Sequence, residues 1–283
     1  MCRSLPLFSD MNRRLKRFVI KVHQASTQFG VDPFRFGRSL RNLPTFVSDW
    51  CKFSRAQRKM GVVGFGAGLR IFPQVGERYS EAGSVASHYF QMDLYVAQLI
   101  WASKPSEHLD VGSRIDGFVA HVASWMEILV LDIRPLEMVI KNITFKQADL
   151  MDGSADWESM ATGSVSCLHA LEHFGLGRYG DTLDPLAHEK GLRNLARLVK
   201  SDGCLYLAVP VSVNPRIEFN AHRVFSFPHL RSLVEGAFEI RSVAVVDDKG
   251  QLQRDLDELS DDANQTWGCH YGCVILTLRK KAS

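Results

Sequence analysis

Residues 108–132, HLDVGSRIDGFVAHVASWMEILVLD, constrain what this chain can fold into more than any other stretch. Leu109, Asp110 and Val111 read as the end of a short apolar strand, and residues 112–117 as a glycine-containing turn. Residues 118–123 read as a brief amphipathic helix, and residues 128–131 as a second buried strand closed by Asp132. A strand–turn–helix–strand unit with an acid about 20 residues beyond the turn is the arrangement that holds an adenosine-bearing ligand. Glycine lets the backbone come close to the ligand, and a carboxylate ending the next strand can accept hydrogen bonds from two ribose hydroxyls. A bare structural βαβ unit would leave the same local pattern.

The pyrophosphate-binding version of the unit needs G-x-G-x-x-G, and here Arg114 stands at the second glycine position, between Gly112 and Gly117. Asp116 would repel a pyrophosphate at the mouth of the helix, whereas Asp110 suits a cationic group. Acid–x–Gly followed by an acid closing the next strand resembles the class I S-adenosylmethionine-dependent methyltransferases. In that family the first acid lies near the amino acid and sulfonium end of the cofactor, and the second binds its ribose.

Downstream, the turn Ile133-Arg134-Pro135 leads into a short helix, and Ile143, Phe145 and Ala148 alternate towards Asp149 as a third strand. The resemblance implies that Asp149 accepts from the adenine amino group and that Leu150 offers its amide and an apolar wall. Three strands closed by Asp110, Asp132 and Asp149 say more than any one of them. Residues 165–168 form a fourth strand, followed by H-A-L-E-H-F, which resembles the L-E-H segment where methyltransferase reaction sites open. Glu172 or His173 could take a proton from an acceptor hydroxyl, histidine because it titrates near neutrality; equally, Glu172 could orient a loop and His173 shape the pocket.

Residues 188–200 read as a helix with Leu192, Leu195, Ala196 and Leu198 inward, stopped by Ser201-Asp202-Gly203, and residues 204–209 as a fifth, apolar strand before Pro210. Residues 214–226, NPRIEFNAHRVFS, read as a polar, aromatic loop at the ligand-binding edge of the sheet. There His222 is a further candidate base and Arg223 a candidate for holding an acidic group of the acceptor, against a plain helix start ahead of residues 228–234. Residues 238–246 and 272–278 fit antiparallel sixth and seventh strands, with an acidic surface excursion, residues 247–264, between them.

Upstream, residues 87–101 predict a helix packing Leu94, Ala97, Leu99, Ile100 and Trp101 inward, broken at Lys104-Pro105-Ser106. The segments HYFQMD, HLDVGSRIDGFVAH and LDIRPL together resemble a methyltransferase-like family of nematodes and bacterial polysaccharide gene clusters, in which D-V-G-S-R-I-D-G-F replaces the usual glycine-rich turn. That resemblance places Tyr89, Gln91 and Asp93 near the cofactor's amino-acid end. With Asp110, Gly112, Ser113, Arg114, Gly117, Asp132, Ile133, Asp149, Leu150 and His169, Asp93 makes up the implied cofactor site.

The first third differs in character. Residues 1–60 hold 13 Lys/Arg against three acids, so the net +3 of the 283-residue chain conceals about +10 there and about −7 elsewhere. Residues 11–24 have helical spacing, with Met11, Leu15, Phe18, Val19 and Val22 on one face and basic residues over most of the rest. Such a helix either lies on an anionic membrane surface or packs on protein; no RNA or DNA module accompanies it. Residues 61–68, GVVGFGAG, lack the lysine of a phosphate loop and read as a flexible stretch within an irregular connection, residues 61–86.

No run approaches the roughly 18 apolar residues of a membrane span, and no signal peptide is evident, so a cytoplasmic chain is expected, peripheral to the membrane's inner face if the basic helix binds it. The six cysteines fall mostly in apolar stretches and read as reduced. Cys269 and Cys273 flanking His270 make a poor zinc pattern, so no metal is expected.

The expected architecture is α/β: a Rossmann-like, doubly wound, seven-stranded, mostly parallel sheet over residues 108–283, preceded by a basic helical extension (1–60) and an irregular linker with a leading helix (61–107). The implied activity is methyl transfer from S-adenosylmethionine, with S-adenosylhomocysteine as product, to a hydroxyl of a cell-surface glycan or another small acceptor. A non-catalytic scaffold in glycan assembly and a nucleotide-sugar or dinucleotide enzyme are the alternatives.

Overall fold

Short apolar runs between residues 108 and 280 become strands, and the sheet they build orders the second of the chain's two units. The computed structural model describes residues 13–60, 73, 75, 85 and 87–282. It divides into two units, Met1–Gly83 and Ser84–Ser283. The expectations for Met11 and for residues 61–68 lie outside the described residues.

In the first unit, α1 (Arg13–Gln28) and α2 (Pro33–Met60) are joined by a short turn. Asp32 caps α2, its Oδ1 accepting from the amides of Phe34 and Arg35 at 3.0 Å each, with Pro33 at the first helical position, where its missing N–H is harmless. Leu15, Phe18 and Val22 of α1 and Phe36, Leu40, Leu43, Val47 and Trp50 of α2 are exposed. Among the described residues no helix is long and apolar enough to cross a membrane.

The second unit begins with α3 (His88–Ser103), capped by Ser87, whose Oγ accepts from the Phe90 amide, and closed by left-handed Lys104. Its inward face is Met92, Tyr95, Val96, Ala97 and Ile100. Leu94 and Trp101, expected inside, are exposed, because His88 and Asp93 share the buried stripe and rotate it. Then come β1 (His108–Val111), a π-turn (Ile115–Val119) running into α4 (Ala120–Ala123), β2 (Ile128–Asp132), β3 (Ile143–Gln147) and β4 (Thr162–Leu168). They are followed by α5 (Ala187–Leu198), β5 (Val199–Val211), β6 (Arg216–Glu218), β7 (His222–Val224), α6 (Phe227–Val234), β8 (Phe238–Val246), β9 (Leu252–Gln253), α7 (Asp261–Asn264) and β10 (Gly272–Lys280).

Among the described residues one eight-stranded sheet runs β3-β2-β1-β4-β5-β10-β8-β9. β1 to β5 are mutually parallel, and β10 lies antiparallel between β5 and β8. The fold is therefore α/β and Rossmann-like, with a mixed, mostly parallel sheet. β8 thus points the same way as β5, and only β10 of the expected antiparallel pair is reversed; two-residue β9 adds an eighth strand. No helix forms between β2 and β3, and the loop 214–226 folds into the hairpin β6–β7.

Buried side chains form a layer on each face of the sheet. One contains Met92, Val96 and Ile100 of α3 with Phe118 and Val122; the other contains Leu192, Leu195 and Leu198 of α5 with Phe227 and Leu230 of α6. Helices on both faces leave the carboxyl ends of β1 to β4 as the place where a ligand can reach backbone and side chains together.

Candidate functional site

A cavity sits over those strand ends, lined among others by Gly112, Asp132, Ile133, Asp149, Leu150 and His169. It shares Gly112, Asp132, Arg134, His169, His173 and Tyr179 with a wider groove that also takes in Tyr89, Arg114 and Arg178. The sequence-expected residues after β1, β2, β3 and β4 thus meet at one crevice.

Gly112 has φ +73°, and a Cβ there would lie 2.8 Å from Ala170 Cβ, so only glycine lets the turn pass this close to the end of β4. At Gly117 a Cβ would stand 2.5 Å from Asp93 Oδ2, so a side chain there would push the Asp93 carboxylate aside. Asp93 itself is buried behind the turn, its pKa pushed up to about 7, chiefly by burial. It does not line the cavity, which corrects its expected contact with the cofactor.

Asp110 needs the same correction. It is fully buried, with Oδ1 accepting from the hydroxyls of Ser113 (2.6 Å) and Ser166 (2.5 Å) and Oδ2 from the Ser113 amide (3.0 Å). Burial raises its pKa to about 6 despite these donors. Ser113, also buried, accepts from the Leu168 amide. Asp110 and Ser113 therefore brace the turn against β4 rather than face a ligand. Arg114, on the groove, forks onto Asp116 and lies over the Tyr89 ring.

Asp132 lies at the cavity as expected, but Arg134 holds it: the Arg134 amide (2.8 Å) and Nε (3.0 Å) donate to Oδ1, and Nη2 (2.5 Å) to Oδ2. The guanidinium also covers the Tyr179 ring at 4.8 Å. Asp149 keeps a turn, Oδ1 accepting from the Met151 amide, and Leu150 is fixed from behind by Asn194 Nδ2 on its carbonyl.

After β4 the backbone enters the left-handed region at His169 (φ +52°), a strained conformation for a residue with a side chain. His169 Nδ1 is 2.6 Å from Glu172 Oε1, both side chains buried. Burial works against ionisation of Glu172, but His169 beside it outweighs burial and lowers its pKa. Glu172 thus faces His169 rather than the cavity.

His173 does line the cavity. Its Nδ1 is 2.6 Å from the Ala221 carbonyl, which fixes the tautomer with Nδ1–H donating and leaves Nε2 basic. Burial lowers its pKa, keeping the ring neutral. His222 is one ring further out, edge-on to His173 at 6.3 Å, with Nε2 near Glu218 Oε2 (3.2 Å) and the Tyr271 hydroxyl (3.3 Å). Arg223, expected to hold an acceptor's acidic group, is instead buried, its guanidinium donating to the carbonyls of Phe174 (2.5 Å) and Pro185 (3.2 Å). It ties two loops together and offers no exposed fork.

Sequence reasoning missed Arg134, Tyr179 and Asp181 of the cavity wall. The signal was the loop 175–186 with its positive-φ glycines Gly175, Gly177 and Gly180, directly after L-E-H-F. The residues present suit a nucleoside with an apolar wall (Ile133, Leu150), a close backbone approach at Gly112 and strand-end acids, of which Asp132 is held by Arg134.

A family model described as "Caenorhabditis protein of unknown function, DUF268" matches residues 122–279. No curated protein matches the chain. Among solved structures, the N-methyltransferase NodS from Bradyrhizobium japonicum, in complex with S-adenosyl-L-homocysteine, is 11% identical, covering 69% of this chain and 88% of its own, with TM-score 0.44. The 1,6-didemethyltoxoflavin-N1-methyltransferase of Burkholderia thailandensis is 16% identical, covering 70% and 85%, with TM-score 0.45. The [4+2]-cyclase SpnF is 15% identical, covering 71% and 86%, with TM-score 0.46.

Proposed function

The chain belongs to the DUF268 family, and from that premise we propose that it is an S-adenosylmethionine-dependent methyltransferase acting on a hydroxyl, most simply one on a sugar of a cell-surface glycan. The observation that carries this reading is the cavity over β1 to β4, where Gly112, Asp132, Asp149 and Leu150 follow one another along successive strand ends. Asp132 would hold the ribose once Arg134 swings aside, Leu150 would wall the purine, and Asp149 would take its amino group. When bound, the cofactor supplies an electrophilic methyl on a positively charged sulfur. The protein's own share is to orient the acceptor oxygen and receive its proton.

For the proton, His173 is the best placed of the three expected bases: it lines the cavity, is neutral and has its tautomer set by Ala221. Glu172 is committed to His169, so it acts as a positioning residue. The wider groove, with Tyr89, Tyr179 and Arg178, supports a polar ring-shaped acceptor, since aromatic faces and guanidinium donors suit sugars.

Calorimetry with S-adenosylhomocysteine tests the cofactor half. Binding by the unaltered chain that is lost in Asp132→Ala supports it; equal affinity in both sinks it. Transfer of labelled methyl to glycan fractions as an alkali-stable ether tests the acceptor half. The scaffold reading is favoured by one observation, the Asp132–Arg134 pair that already satisfies the ribose-binding acid, and it predicts no binding of S-adenosylhomocysteine.

A further inference from the structure

At His169, on the wall of the cavity, three side chains from distant parts of the chain converge. His88 in the first turn of α3, His169 after β4 and Cys273 on β10 each offer a ligand atom, all within 4.8 Å of one another, and all three residues are buried. None of the three is near another in sequence. Spacing therefore gave no hint of the group; the only pattern weighed, Cys269 and Cys273 with His270, is a poor zinc pattern.

We propose that His88, His169 and Cys273 bind a divalent transition-metal ion of the zinc class. Two imidazoles and a thiolate are the donors a borderline-soft ion prefers, and carboxylate-seeking magnesium or calcium would not choose them. Zinc sits about 2.0–2.1 Å from nitrogen and about 2.3 Å from sulfur, so its tetrahedral donors lie roughly 3.3–3.6 Å apart. Closure from separations within 4.8 Å asks the donors to draw together by roughly 1 Å and the parallel imidazoles to turn so that their lone pairs converge.

The surroundings point independently to a ligand. Among the described residues His169 Nε2 is buried with no nitrogen or oxygen partner, its polar neighbour being the Cys273 thiol. Its other nitrogen, Nδ1, is 2.6 Å from Glu172 Oε1. A carboxylate on the far nitrogen of a histidine is the arrangement that sets the tautomer and aims the near lone pair at a metal. The His88 ring lies parallel to that of His169 at 5.6 Å and against the Tyr271 ring at 5.3 Å. An ion here would fasten α3 and β10 to the end of β4. It would also account for the strained φ of +52° at His169, which carries the ring into the cluster.

The test uses the full chain, purified without a metal-chelating tag, stripped with a chelator and titrated with Co²⁺. The expected result is one cobalt per chain, with visible bands of a tetrahedral site and a near-ultraviolet thiolate-to-cobalt band. Cys273→Ser should lose the thiolate band while Cys269→Ser keeps it. Glu172→Gln should keep the band but bind about 10–100-fold more weakly, as loss of a supporting carboxylate does. If Cys273→Ser does not fold, His88→Gln decides, with weakened cobalt binding expected. No cobalt retained by the unaltered chain, a cobalt spectrum without the thiolate band, the band persisting in folded Cys273→Ser, or unchanged affinity in His88→Gln would each overturn the site.

Discussion

Replacing Gly112 by alanine probes the turn on which the crevice depends. Two separate penalties arise. A side chain at φ +73° crowds the following carbonyl at about 1–2 kcal/mol. The new Cβ would also stand 2.8 Å from Ala170 Cβ, where carbon–carbon contacts settle at about 3.5–4.0 Å. Relief requires the turn and the end of β4 to part, an overpacking strain of about 1–3 kcal/mol. The total, about 2–5 kcal/mol, corresponds to a melting shift of about 10 °C near its middle for a domain of this size. Denaturant unfolding of four chains separates the parts: unaltered, Gly112→Ala, Ala170→Gly and the double variant. Ala170→Gly should return the steric share of about 1–3 kcal/mol in the Gly112→Ala background and leave the backbone share. A Gly112→Ala chain as stable as the original, or a double variant that recovers nothing, would refute the close approach of the turn to β4.

The Asp132–Arg134 pair should compete with ligand, so Arg134→Ala is expected to bind S-adenosylhomocysteine several-fold more tightly, the scale of about 1 kcal/mol for a half-exposed ion pair; weaker binding in calorimetry would assign Arg134 to the ligand instead. His173→Ala should slow methyl transfer by about 10²–10⁴-fold with little change in cofactor affinity. Because burial lowers the His173 pKa, the unaltered enzyme should hold its rate below the ordinary histidine range and fall only at lower pH, an acid limb absent from the variant's residual rate. His108, bridging Ser164 and Ser166, has its pKa pushed down to about 3 by burial. The unfolded chain takes up this proton near pH 6.5 and the folded chain does not, so the contribution of His108 is complete above pH 6.5 and is lost as pH falls towards 3. Unfolding curves of His108→Gln should show a shallower loss of stability across that window, and an unchanged slope would contradict this.

The parts of the fold visible in the chain are those governed by neighbours in sequence. Short apolar runs marked β1, β2 and β4, the first two carrying Asp110 and Asp132 at their ends, and β3 was legible from alternation towards Asp149. The phase of α3 misled because two of its buried residues, His88 and Asp93, are polar, so hydrophobic spacing described only part of its inner face. The direction of β8 depended on where β10 inserted, a choice made by pairing across the sheet rather than within either strand.

The chemistry of the crevice divides along the same line. Residue types and their order along the chain determined that Gly112, Asp132, Asp149, Leu150 and His173 would meet at one edge, because parallel strands deliver their ends to a common face. Tertiary packing alone decided what each group is free to do. Ser113 and Ser166 consume Asp110, backbone carbonyls consume Arg223, and Arg134 masks Asp132. Cys273 joins His88 and His169 only because β10, the last strand, is laid beside β5 next to β4. A donor's availability depends on which partners reach it through space, and the one-dimensional pattern carries no record of them.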